Sequence, residues 1–181
     1  RTAMKRMEVL RLTCLCLALV LFLAVPASAG VGVIQFKGHL TALSMSDPAT
    51  WTYTPLPGGR LLITDAVLFS CKQADEVDPA YDYYSGCYRC ECSEIVEPSG
   101  AVRTWGTCTT LGLDNAPGGG WVGEFQGEWA APLDEGGVAN NISLHMKSVG
   151  TGTLTGWTMD LREWAKDPLT SGDFGHMTPP R

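Results

Sequence analysis

The sequence predicts an all-β fold: a small antiparallel barrel, or a sandwich, of seven to eight strands supported by disulfides. Three observations predict it. Apolar and polar residues alternate with a period of two along most of the chain. No stretch beyond residue 29 keeps a 3.6-residue apolar period for three turns, and Gly- and Pro-rich turn sequences separate the alternating runs.

The first 29 residues stand apart. Lys5, Arg6 and Arg11 precede an apolar stretch from Leu12 to Val25, followed by Pro26 and Ala27-Ser28-Ala29. A charged n-region, an apolar h-region and an A-x-A site make a secretory signal peptide over residues 1–29, with Arg1 to Ala3 upstream of the first Met. The apolar run falls short of the ~18 residues that span a bilayer, so no stable membrane anchor is expected. Cys14 and Cys16 leave with it, and the expected location is secreted or periplasmic.

The remaining 152 residues suit one domain. Residues 30–165 read as a single β-barrel domain and 166–181, which lack an apolar period, as a flexible C-terminal tail. The whole chain has 13 Lys and Arg against 19 Asp and Glu, net −6; the leader holds four of the bases and one of the acids, leaving −9. The bases are scattered singly, so nucleic acid is not an expected partner.

Strands are expected near 33–44, 60–71, 87–96, 102–110, 120–130, 141–149 and 153–164, with a short one at 51–54. Turn sequences PLPGG, EPSG, DNAPGGG, PLDEGGVANN and GTG separate them. The clearest strand is GWVGEFQGEWA: Trp121, Phe125 and Trp129 share one face, and Val122, Glu124, Gln126 and Glu128 the other. Trp157 joins Met159 and Leu161 on an inward face. Trp105 and Trp164 fall on polar faces, where they could stack on a sugar or a partner. GTGTLTG lacks the third glycine spacing and following helix of a dinucleotide loop, so it reads as a hairpin.

Five cysteines follow the leader: Cys71, Cys87, Cys90, Cys92 and Cys108. An exported chain favours disulfides. EPSG reads as a type I turn with Gly100 in the left-handed position, so that Val96 faces Val102 and Cys90 faces Cys108. That register predicts a Cys90–Cys108 bridge. Cys71 and Cys87 bracket an acidic loop and are expected to staple its base. Cys92 is left as a buried thiol. The alternative, zinc on Cys87, Cys90, Cys92 and Cys108, lacks two separated C-x2-C knuckles, and neither metal nor cofactor is expected.

No H-E-x-x-H, G-x-S-x-G or Walker loop occurs. His39 and His145 sit on polar faces and His176 in the tail. Asp65 alternates with Leu61, Ile63, Val67 and Phe69 and is expected to point inward, where a carboxylate must find donors or shift its pKa upward. Asp75, Glu76, Asp78 and Asp82 form an acidic loop without EF-hand spacing, read as solvated. Asn141-Ile142-Ser143 fits a glycosylation sequon.

From SGCYRCECSEI through GGGWVGEFQGEW to KSVGTGTLTGWTMDLREW, the chain resembles uncharacterised secreted bacterial proteins with G-x-W-x-G-x-(F/W)-x-G and G-x-G-x-(Y/L)-x-G strands. Its final Gly-rich hairpins are similar to those of allene-oxide-cyclase- and dirigent-type barrels. That resemblance implies a lumen that hosts a reaction or an apolar ligand, an implication by fold alone. The expected function is binding, without catalysis, of a small molecule, glycan or surface partner, with Asp65, Trp121, Phe125, Trp129 and Trp157 as candidate ligand contacts. The alternatives are a lumenal isomerase or hydrolase built on Asp65, and a purely structural surface module.

Overall fold

A computed structural model of the chain describes residues 32–130, 140–167 and 170–181; the expected leader lies outside them. Among the described residues nine strands run in order: β1 Ile34–Met45, β2 Thr52–Leu56, β3 Arg60–Glu76, β4 Gly86–Val96, β5 Ala101–Leu113, β6 Gly119–Ala130, β7 Asn140–Gly152, β8 Thr158–Asp167 and β9 Thr170–Thr178. All neighbours are antiparallel, in the order β1-β9-β8-β7-β6-β5-β4-β3-β2, and a further β1–β3 pairing closes the sheet. The result is an eight-stranded barrel with β2 as an added edge strand.

Closure depends on the length of β3. Its later half pairs with β1 from Leu68↔Met45 to Glu76↔Lys37, while its first residues, Arg60 to Thr64, pair with β2. The β4–β5 hairpin has the register expected from EPSG. Gly100 takes φ 89° and donates its N–H to Glu97 O, and Val96 pairs with Val102 and Cys90 with Cys108. Both predicted disulfides are present, Cys71–Cys87 and Cys90–Cys108, each between directly paired residues. Cys92 is the buried free thiol.

Period-two alternation sorts the barrel wall into two faces. Trp121, Phe125 and Trp129 are buried in the core with Phe36, Tyr84, Tyr88, Met159, Leu161 and Met177. Glu124, Gln126 and Glu128 face solvent. Trp157 is half-buried, its ring edge-on to Tyr83 at 5.2 Å.

Three expectations are corrected. Residues 170–178 form β9, which joins β8 to β1 and completes the barrel. Its inward positions are Asp173, Gly175 and Met177, so an apolar period was never present to be read. The β7–β8 hairpin turns at residues 153–156, with β7 extending to Gly152 and β8 starting at Thr158. Asp65 faces outward. The pairing of β3 with β4 shifts between Ile63 and Ala66, and Asp65 takes φ 65° in this bulge. The extra residue reverses the parity of β3, so Ala66, Leu68, Ser70 and Lys72 turn inward instead.

The face assignment has a direct test. Trp121→Ala should lower unfolding stability by about 3–5 kcal/mol in denaturant titrations, through lost transfer energy and a cavity. Glu124→Ala, three residues away on the outer face, should stay within about 0.5 kcal/mol of the parent.

Candidate functional site

The bulge in β3 has a chemical consequence inside the barrel. It aims Lys72 into the lumen, where its ammonium pairs with Glu163 of β8 and lies 3.7 Å from Asp173 of β9. All three side chains are buried. Burial alone would lower the Lys72 pKa, but the adjacent Glu163 and Asp173 carboxylates outweigh it and hold the ammonium charged. Burial, opposed by Lys72 but reinforced by Asp173, raises the Glu163 pKa.

The segment between β3 and β4 completes this cluster. Tyr84 drops into the barrel end, stacks on Phe36 with ring centroids 4.5 Å apart, and donates its hydroxyl to Asp173. Gly38 makes room for it: a Cβ there would lie 2.6 Å from the Tyr84 ring. The Tyr88 hydroxyl donates to Tyr84 O at 2.6 Å, and the Lys72 ammonium lies 5.9 Å from the Tyr88 ring centroid, within cation–π range. Trp121 Nε1 donates to Tyr83 O at 2.6 Å. Asp82 caps the backbone of Tyr84 and Ser85, and Cys71–Cys87 staples the base of the segment.

The lumen is therefore filled. The space left beside Ser70, Lys72, Phe125, Met146 and Glu163 is a cavity of about 20 Å³, enough for a single water. Eight-stranded barrels lie at the size where side chains either fill the interior or leave space for one small ligand. Here they fill it. Trp121, Phe125 and Trp129 are core residues of this packing. Asp65 is on the opposite side of the wall, its carboxylate accepting from the Thr64 hydroxyl at 3.2 Å.

A third buried carboxyl lies toward the end that carries the 97–100 turn. Glu94 pairs in register with Ile63 on β3 and Thr104 on β5 and is 0% exposed. Among the described residues neither of its oxygens has a hydrogen-bond partner, and the same holds for Trp129 Nε1. Burial pushes the Glu94 pKa up to about 7, and burial followed by the Glu94 charge pushes the neighbouring Cys92 thiol up to about 12.

One row of the outer wall mixes charged and aromatic side chains. Trp105, Gln126, His145, Arg162 and Phe174 lie in one row across β5 to β9, with Trp164 two residues from Arg162 on the same face. Trp105, Trp164 and Phe174 are 41%, 45% and 49% exposed. They border a furrow that also holds Arg103, Gln126 and Glu128. His145 Nε2 is 3.0 Å from Asp160 Oδ1. Charged residues along the row are unlike the apolar band of a lipid-facing barrel.

No family model matches the chain, and no curated protein is significantly similar to it. Two disulfides fit an oxidising compartment, extracellular or periplasmic. The acidic loop residues are engaged elsewhere: Asp75 with His39, Glu76 with Lys37, Asp78 with the Ala80 amide and Asp82 with Ser85 and Asn115. The bulge hid Lys72 from a parity reading, and Asp173 lay in the expected tail, whereas Glu163 shares the inward parity of Met159 and Leu161. Glu94 was open to discovery, since it shares the parity of Cys92 and Val96.

Glu94 predicts an unusual pH dependence. Its folded pKa, about 7, exceeds the ordinary 4.5 of the unfolded chain. The folded state therefore binds the extra proton, and stability present below pH 4.5 falls as pH rises toward 7. Glu94→Gln should remove this contribution. In urea titrations it should gain about 3 kcal/mol relative to the parent between pH 4.5 and pH 8.

Proposed function

We propose that the protein is an exported, non-enzymatic binding module that takes a neutral carbohydrate on the outer face of its barrel. One observation carries the reading: Trp105, Trp164 and Phe174 stay 41–49% exposed around one furrow, while the lumen leaves space for no more than a water. Exposed indoles offer apolar faces on which the C–H faces of sugar rings can stack. Gln126, Arg103, Arg162 and Glu128 place amide, guanidinium and carboxylate groups between them for sugar hydroxyls. Trp105 and Trp164 are three strands apart, up to roughly 14 Å at normal strand spacing, which suits an oligosaccharide better than a single ring. A net-acidic chain disfavours polyanionic glycans.

The test is a panel of neutral and acidic oligosaccharides titrated by calorimetry and tryptophan fluorescence. A neutral oligosaccharide should bind, and Trp105→Ala and Trp164→Ala should each weaken it at least about tenfold without moving the thermal midpoint. Binding by none of the panel, or binding untouched by either substitution, would contradict the reading and favour a purely structural module.

A further inference from the structure

Glu94 differs from the other interior carboxyls in having no cation. Glu163 and Asp173 have Lys72 and the Tyr84 hydroxyl. Around Glu94 the register places Ile63 on β3, Thr104 and Val102 on β5, and Gly127 and Trp129 on β6, none of them an acid or base. On β4 itself, Cys92 is the one inward titratable neighbour. Across the lumen the same cross-strand row leads through Gly127 and Leu144 to Glu163, which Lys72 neutralises. Among the described residues no charged group stabilises a Glu94 anion in place.

A carboxylate in such a setting must either keep its proton or reach water. Glu94 lies two residues from the end of β4, beside the paired and only partly buried Val96 and Leu61, so this barrel end is the short way to water. Among the described residues β2 has no partner on its outer edge, and Thr52 to Pro55 are exposed.

We propose that Glu94 is a proton-operated latch on the barrel end that carries the 97–100 turn. Protonated, it stays within the apolar packing and the end is closed. Deprotonated, it moves toward solvent, separating the ends of β3 and β4 and wetting the interior as far as Cys92. The Tyr84 end, held by Cys71–Cys87 and the Lys72 cluster, stays shut.

Cys92 is a built-in reporter. Its alkylation by a small neutral maleimide can be timed in native, unreduced protein and divided into the rate for unfolded protein at the same pH. That ratio removes thiolate chemistry and leaves protection. From the separation between the ordinary and buried Glu94 values, protection should fall roughly 30-fold between pH 5.5 and pH 8. It should stay constant in Glu94→Gln or, should that variant not fold, in Glu94→Leu. Protection of the β6 amides near Trp121, corrected for intrinsic exchange, should fall no further than global stability does in urea titrations at the same pH values, and should stay above the protection of Cys92. An equal fall in the substituted protein, no fall in the parent, or Cys92 protection equal to that of the Trp121 amides at every pH would overturn the latch.

Discussion

An ammonium inside a β-barrel stays charged only where carboxylates meet it, and Lys72 meets two. This contact joins β3 to β8 and β9, on opposite sides of the β1 closure. Tyr84 adds the loop before β4 through its bond to Asp173. Each partner would be costly alone. Lys72 without Glu163 and Asp173 would be a bare buried cation, and the two carboxyls without Lys72 would repel one another. The cluster also explains why β9, with Asp173 as an inward residue, can be a wall strand despite its lack of apolar alternation.

The barrel interior is filled, with a cavity of about 20 Å³ left beside Lys72 and Glu163. Side chains that a lumenal site would need free, such as Trp121, Phe125 and Trp129, are committed to packing. Aromatic rings exposed beside polar groups lie on the outer wall instead. The two barrel ends are also unequal. One is closed by Tyr84, Tyr83 and a disulfide-stapled segment; the other holds a carboxyl without a counter-charge. That asymmetry is chemical, since the ends share strands and differ in how their buried polar groups are satisfied.

Much of this architecture was legible because antiparallel pairing propagates from turns. EPSG set the β4–β5 register, and the register placed Cys90 opposite Cys108. Parity alone sorted Trp121, Phe125 and Trp129 from Glu124 and Glu128. The errors have equally local causes. Thr64-Asp65 inserts a bulge, and one extra residue reversed every later assignment on β3, turning Asp65 out and Lys72 in. Asp is among the few residues that tolerate a positive φ, which was the available signal. In β9 inward Asp and Gly replaced the apolar residues on which period-two reading depends. Glu94 sat at an inward position, but glutamate is so seldom buried unpaired that composition argued against it.

The barrel interior is organised around the buried Lys72 cluster. Equilibrium unfolding of Lys72→Met, a substitution close in volume, probes that cluster. Loss of the cation should cost about 3–5 kcal/mol, because two buried carboxyls lose their counter-charge. Adding Glu163→Gln should recover part of that loss, since one of the stranded charges is then gone. A Lys72→Met protein within about 0.5 kcal/mol of the parent would mean that the ammonium is not buried among these carboxylates and that the barrel interior is held together in another way.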